Sequence, residues 1–321
     1  MHANNERSGS ANAAPRMRII LHGKRALDET VRAAVERLRS EGAEIEVRVT
    51  WEPGDSERFA AEAAREGVDT VVAGGGDGTL NTVVRGLLDS GVERLPALGL
   101  LPLGTANDFA TGCGIPLEDA YAALHLIHTT KPRPIDIGQA GEHYFVNVAT
   151  GGFGTQITAE TPDDMKDLLG GVAYLLTGIQ RLGSVDLCKA HIEGDEFEWT
   201  GDFYALAVGN GRLAGGGVSM CADALLDDGL FEVNILPDIP IVDKIAALGD
   251  MLSEGMRAVD HYVIHKKLSY LKIDAPEGLQ INMDGEPIRA ERIEFRVLAG
   301  HVLFHLPDTA PLVGENNHAA R

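Results

Sequence analysis

Gly74-Gly75-Gly76-Asp77-Gly78-Thr79 follows the apolar run Thr70 to Ala73 and precedes a helical stretch from Leu80 to Leu88. Strand, glycine turn and helix in that order let a backbone turn sharply and approach a ligand without Cβ obstruction. The first amides of a helix are unpaired and carry partial positive charge, so such a turn binds phosphate. The stretch is not a Walker A loop, because no Lys follows the glycines. It is not the dinucleotide fingerprint either, because the third glycine of G-x-G-x-x-G would fall at Thr79 or Leu80. A plain tight turn is the alternative, and the flanking strand and helix weigh against it.

Working outward, short apolar runs alternate with helical patterns, the order of a parallel sheet covered by helices. Met17 to Leu21 is a strand. Asp28 to Arg39 places Val31, Val35 and Leu38 on one helical face, and Ile45, Val47 and Val49 alternate with Glu46 and Arg48 in a second strand ending at Thr50. Glu57 to Glu66 is helical, Ala97 to Leu101 is a fourth strand, and Asp119 to His128 is a further helix. The loop Pro102-Leu103-Gly104-Thr105-Ala106-Asn107-Asp108-Phe109 leaves the fourth strand on the side where open α/β sheets bind ligands. Thr, Asn and Asp are also ordinary helix caps, so this loop gains meaning from the glycine turn beside it. Thr50 is a weaker candidate for the same edge, since a β-branched residue suits a strand in any case.

Beyond about Arg133 the pattern turns β-rich, with strands at Ile135 to Gln139, Tyr144 to Ala149, Ala190 to Glu193, Phe203 to Val208, Leu230 to Leu236, Leu268 to Ile273, Leu279 to Met283 and Ile293 to Leu298. Helical intervals are Met165 to Arg181 and Ile241 to Gly255. The chain therefore reads as a polar extension (residues 1–16), an α/β domain (17–133, with 305–321 as a candidate addition) and a mostly β sandwich (134–304). The active site is expected in the cleft between the two domains.

Composition narrows the function. The 321 residues, 44% hydrophobic and 24% charged, suit two globular domains. The formal charge of −20, from 28 basic against 48 acidic side chains, repels phosphate backbones and argues against nucleic acid as a partner. Cys113, Cys188 and Cys221 are odd in number and form no C-x-x-C pair, which fits a reducing cytoplasm. The longest uncharged stretches fall short of the ~18 apolar residues that cross a bilayer.

GGGDGTLN together with PLGTANDFA resembles the catalytic domain of the diacylglycerol kinase superfamily. Val47-Arg48-Val49-Thr50-Trp51, Ala149-Thr150-Gly151-Gly152-Phe153-Gly154, Gly209-Asn210-Gly211-Arg212, Ala214-Gly215-Gly216-Gly217 and Asn282-Met283-Asp284-Gly285-Glu286-Pro287 are similar to the YegS-type bacterial lipid kinases. The resemblance implies a three-layer α/β nucleotide-binding domain related to NAD kinases and phosphofructokinases, joined to a β-sandwich. It also implies ATP as co-substrate, a lipid hydroxyl as acceptor, with phosphatidylglycerol named for this subgroup, and action from the cytoplasm on the inner membrane surface. A homodimer is compatible with it. By the same resemblance Thr50, Gly76, Asp77, Gly78, Thr79, Leu80, Asn81, Thr82 and Thr105 form the nucleotide edge. Thr82 stands where the family usually has Glu, which removes a carboxylate there.

Asp284-Gly285 is a hairpin-turn dipeptide, yet a lipid hydroxyl must lose a proton as it attacks phosphorus. By the family pattern Glu286 is that proton acceptor, with Asp77 across the cleft near the metal or the nucleotide. Asp228, with the carbonyls of Leu225 and Leu230, resembles the family's Mg²⁺ site, a set of hard oxygens that Ca²⁺ also accepts. The eleven histidines give no metal signature; His261 and His265 would share a face if their segment is a strand, but four residues of strand, ~13 Å, is too far for one ion. His265-Lys266-Lys267 with Lys272 is a basic cluster that suits a solvated face better than a headgroup site. Leu168 to Ile179 suits a core helix better than a lipid entrance. The rival functions are a kinase of a soluble acceptor, such as NAD or a sugar phosphate, and a nucleotide- or metal-sensing regulator without catalysis.

Overall fold

A computed structural model of the chain describes residues 15–152, 187–238 and 261–314. The helices expected at Met165 to Arg181 and Ile241 to Gly255, the candidate lipid entrance at Leu168 to Ile179, and Phe153-Gly154 lie outside the described residues.

The first lobe comprises β1 (Arg16–Leu21), α1 (Glu29–Ser40), β2 (Glu44–Val49), α2 (Asp55–Arg65), β3 (Thr70–Gly75), α3 (Asp77–Leu88), β4 (Ala97–Pro102), α4 (Asp108–Cys113) and α5 (Ala120–Thr129). Its four strands are parallel in the order β2-β1-β3-β4. α1 and α5 cover one face of this sheet and α2 and α3 the other, each pair over its own apolar cluster. The strand order reverses between β1 and β3, the position at which open α/β sheets leave a crevice beyond the strand ends. The loops after β1 and β3 meet there, and the His22 amide donates to the Gly74 carbonyl at 2.8 Å.

The second lobe contains β5 (Arg133–Ala140), β6 (His143–Phe145), β7 (Val148–Gly152), β8 (Cys188–Gly194), β9 (Phe197–Gly209), β10 (Leu213–Ala214), β11 (Val218–Ser219), β12 (Phe231–Pro237), β13 (Ile264–Leu268), β14 (Tyr270–Met283) and β15 (Glu286–Phe304). The long strands β9 and β14 each pair with β7 near one end and with β8 near the other, enclosing a core that includes Phe203, Phe231, Phe295 and Ile281. The runs Leu268 to Ile273 and Leu279 to Met283 belong almost entirely to one strand, β14, whose register shifts between Asp274 and Leu279. The run Tyr144 to Ala149 is broken in two, because the amides of Val146 and Asn147 leave the ladder for the Asp284 carboxylate. β15 runs 19 residues and ends parallel to β4 at Phe304 and Leu98. The chain then returns to the first lobe, where Leu306, Ala310 and Leu312 join its core.

α2 and α3 pack closely because Gly86 has no side chain. A Cβ there would stand 2.4 Å from the Glu57 carbonyl oxygen and 2.5 Å from its Cα. Since that neighbour is main chain, Gly86→Ala must push the helices apart. It should cost about 1–3 kcal/mol, read as a lower thermal midpoint; an unchanged midpoint would contradict this packing.

Candidate active site

β3 is buried throughout, and its last residue, Gly75, leaves no room for a Cβ, which would meet Thr79 Oγ1 at 2.2 Å. α3 begins at Asp77, three residues earlier than the periodicity predicts, and its N-cap Gly76 supplies no capping side chain. The Leu80 amide closes the first helical bond onto the Gly76 carbonyl, so the amides before it are those left over at a helix start. Gly78 and Thr79 line an open cleft of about 1310 Å³. That exceeds the ~300–1,000 Å³ of common ligand pockets and leaves room for two reactants.

The second loop is locked onto the first. A Cβ on Gly104 would lie 2.5 Å from the Gly76 Cα, and the Leu103 amide donates to the Gly75 carbonyl at 2.8 Å. Asn107, left-handed at φ 51°, closes the loop by accepting from the Gly104 amide and donating to the Gly104 carbonyl, both at 2.9 Å. Thr105 is exposed on the cleft wall. On the other side Thr50 also lines the cleft, and its hydroxyl accepts from the Gly23 amide at 3.0 Å.

Asp284 and Gly285 form the two-residue turn between β14 and β15, with φ of 48° and 98°, and Met283 pairs with Glu286. Both positive values are those of a type I′ turn. The residue after the turn, Glu286, is exposed and opens onto the same cleft as Gly76, Gly78 and Thr79. The glycine turn of one lobe and the carboxylate of the other therefore share one opening.

Asp77 is placed differently from the expectation. It does not line the cleft. Its carboxylate accepts from the amides of Asp108 at 3.0 Å and Phe109 at 2.9 Å, and from Asn147 Nδ2 at 3.2 Å. It thus caps α4, a helix that the sequence pattern does not announce, and reaches the second lobe. Leu80 is fully buried in the core and Asn81 nearly so, so neither side chain faces the cleft. Their place in the motif is that of helix residues packed beneath the turn. Thr82 lines the cleft, and its hydroxyl donates back to the Thr79 carbonyl at 3.0 Å. A small adjoining hollow beside Glu286 is lined by Asn81, Thr82, Arg85, His143 and Tyr144.

Residues 16–140 match the diacylglycerol kinase catalytic domain, and residues 147–303 match the YegS C-terminal NAD kinase beta sandwich-like domain. The chain belongs to the YegS-like lipid kinase family. A Pseudomonas aeruginosa protein named "probable lipid kinase YegS-like" is 47% identical over 297 residues, 92% of this chain and 96% of the relative. One of the same name from Stenotrophomonas maltophilia is 45% identical over 307 residues, 94% and 99% of the two chains. A solved structure of a diacylglycerol kinase from Bacillus anthracis superposes with a TM-score of 0.71 at 22% identity, covering 92% of this chain and 98% of that one, a likeness of fold.

In this YegS-like chain carboxylates that sequence inspection does not single out fasten the structure around the cleft: Asp108 ties the two lobes, and Asp284 braces the second lobe internally. Asp108 accepts from the amides of Gly216 at 3.0 Å and Gly217 at 2.6 Å, which is where the Ala214-Gly215-Gly216-Gly217 signal lands. Asp284 accepts from Val146 at 2.6 Å and Asn147 at 3.1 Å. Lys24 follows β1 and lines the cleft with its ammonium unpaired among the described residues. Its neighbour Arg25 is held by the Leu103 carbonyl at 2.6 Å. A lone lysine in an acidic chain gives no local signal; only the meeting of the β1 and β3 loops shows where it stands.

The acidic turn at Asp227-Asp228-Gly229 lies away from the cleft. Asp228 Oδ2 accepts from Lys267 Nζ at 3.0 Å and Oδ1 from the Leu230 amide at 3.1 Å. Asp136, buried beside it, accepts from Gly229 and Gly300, and burial followed by the charges of Asp228 and Asp227 raises its pKa. A cation would relieve that crowding of negative charge, so one carboxylate and two main-chain carbonyls here suit a hard metal ion in kind. The basic residues nearby are engaged: Lys267 with Asp228, Lys272 with Asp274, and Lys266 over the Phe197 ring. Cys113, Cys188 and Cys221 form no disulfide.

Burial, and next the neighbouring Asp77 charge, push the Asp284 carboxyl up to about 7, against the opposing pull of the Val146, Asn147 and Val148 amides. The folded group therefore keeps its proton to higher pH than the unfolded one, whose pKa is about 3.9. Its ionisation opposes the fold, so this contribution to stability falls as pH rises between those values and is flat above them. Asp284→Asn should remove that fall, giving a urea midpoint that changes less than the wild type's from about pH 5 to pH 8. Equal changes in both proteins would reject the assignment.

Proposed function

We propose that this protein transfers the γ-phosphoryl group of ATP to a lipid hydroxyl, with phosphatidylglycerol as acceptor, working from the cytoplasmic side of the inner membrane. The observation that carries this reading is the shared opening: Glu286 from the sandwich faces the cleft that holds the α3 amides and Lys24. The amides of Gly78 and Thr79 and the Lys24 ammonium offset phosphate charge, and Thr105 and Thr50 supply hydroxyls along the same wall. The lipid hydroxyl gives its proton to Glu286 as its oxygen bonds to the γ-phosphorus. The bond from that phosphorus to the β,γ-bridging oxygen breaks, and ADP carries away the electron pair. Positioning and electrostatic stabilisation supply most of the rate in such a transfer. Asp77 acts here as a positioning residue, holding the second loop against the first.

Mg²⁺ accompanies the nucleotide as part of the substrate. A second ion, Mg²⁺ or Ca²⁺, would be held by Asp228 and the carbonyls of Leu225 and Leu230, where it would neutralise the acidic turn. Because none of these residues lines the cleft, that ion bears on stability. Added Mg²⁺ should raise the melting temperature of the wild type and leave that of Asp228→Ala unmoved; the same rise in both would remove the ion from this turn.

Labelled ATP with Mg²⁺ and phosphatidylglycerol vesicles should yield labelled lipid, and Glu286→Gln should slow the transfer by about 10²–10⁴-fold, the usual worth of a general base. Equal labelling by wild type and variant would reject Glu286 as the base. Labelling of diacylglycerol in preference to phosphatidylglycerol would change the acceptor, and labelling of soluble hydroxyl compounds alone would end the lipid reading.

A further inference from the structure

The cleft has two chemically different ends. One is polar and electropositive, formed by the α3 amides, Gly104 and Lys24. The other, at the end of β2, carries Val49, Trp51 and Pro53. Trp51 is 94% exposed and is the only Phe, Tyr or Trp among the described residues that line the cleft. Single exposed apolar side chains are common on protein surfaces and by themselves mean little. What distinguishes Trp51 is how firmly its backbone is held. The buried Asp55 carboxylate accepts from the Trp51 amide at 2.7 Å and the Glu52 amide at 3.1 Å, and Arg58 grips its other oxygen at 2.5 Å. Those amides and Arg58 hold Asp55 ionised, at a pKa of about 2. The Thr50 hydroxyl meanwhile ties this loop to Gly23, beside Lys24. An indole kept in water on a fixed backbone is a ready platform for a flat ring.

A nucleoside triphosphate has the matching polarity, a polyanion at one end and an aromatic base at the other. Resting on the nucleotide reading above, we propose that Trp51 stacks on the nucleotide base. The triphosphate then runs from the β2 end of the cleft past Thr50 toward Gly76, Gly78 and Lys24, which leaves the γ-phosphate on the side that Glu286 faces. Stacking recognises any base by its π-face, so Trp51 contributes affinity for the nucleotide more than a choice among bases.

The protein has two tryptophans, Trp51 and Trp199, so Trp199→Phe gives a chain whose indole emission reports Trp51 alone. In that background ATP and ADP should quench the emission, whereas inorganic tripolyphosphate should compete with ATP without quenching. Trp51→Ala should raise the KM for ATP about tenfold or more while leaving the KM for lipid unchanged, and Trp51→Phe should restore most of the loss, as base-stacking residues behave. Phosphatidylglycerol vesicles added without nucleotide should leave the emission in place. A blue shift on those vesicles, with the lipid KM rising in Trp51→Ala, would overturn the proposal in favour of membrane contact. Wild-type turnover with no ATP-dependent quench and a normal ATP KM in Trp51→Ala would overturn it while sparing the kinase reading. A wild type that neither binds ATP by calorimetry nor consumes it would overturn both.

Discussion

Two stretches of backbone can run at van der Waals distance only where neither carries a side chain. Gly76 and Gly104 meet in that way, and a Cβ on Gly104 would fall 2.5 Å from the Cα of Gly76. The rest of the site follows from this contact. It sets the end of β4 beside the start of α3, brings the amides of Asp108 and Phe109 within reach of Asp77, and exposes the first turn of α3 to the cleft. Glycine here serves the close approach of two loops, and φ at Gly76 is −93°, a value open to any residue.

The carboxylates around the cleft divide by their partners. Asp77, Asp108 and Asp284 all accept from main-chain amides, those on Asp108 coming from the opposite lobe and those on Asp77 and Asp284 from their own, and so act as ties. Asn147 links Asp77 to Asp284: its side chain donates to Asp77, its own amide donates to Asp284, and its carbonyl accepts from Asn210 at 2.9 Å and Gly211 at 2.7 Å. Amide donors favour the charged carboxylate, while burial and like charge oppose it. Glu286 differs in having its carboxylate exposed and unpaired among the described residues. A chain with 48 acidic side chains thus leaves an exposed, uncommitted carboxylate facing its glycine turn.

The alternation of Ile45, Val47 and Val49 and the apolar runs before Gly74 and Pro102 made the parallel sheet readable, because period and turn chemistry are local properties. α4 was unreadable because its cap comes from Asp77, 31 residues back, and no residue of its own supplies one. The Asp-Gly turn at 284–285 was legible as a turn, but local sequence cannot show that Asp284 faces inward onto Val146 and Asn147, more than a hundred residues away. Leu80 travels with the phosphate-binding motif yet faces the core, and the buried Asn81 lines the small hollow beside Glu286 and not the main cleft, since helix periodicity turns both beneath the turn. Lys24 and Trp51 acquire meaning only when the sheet order puts the ends of β1, β2 and β3 side by side.

β15 starts at Glu286 and ends hydrogen-bonded inside the sheet of the other lobe. The covalent path from the cleft carboxylate to that sheet is therefore strand all the way, like a drive shaft. Its single irregularity against β5 falls between Leu298 and Val302, where Gly300 sits at φ 58° with its amide clamped by Asp136 at 2.7 Å. The bulge at Gly300 is thus the one break in the pairing of β15 with β5. Asp136 also accepts from the Gly229 amide at 2.7 Å, so one buried carboxylate rivets both the kink in this shaft and the remote acidic turn at Asp228.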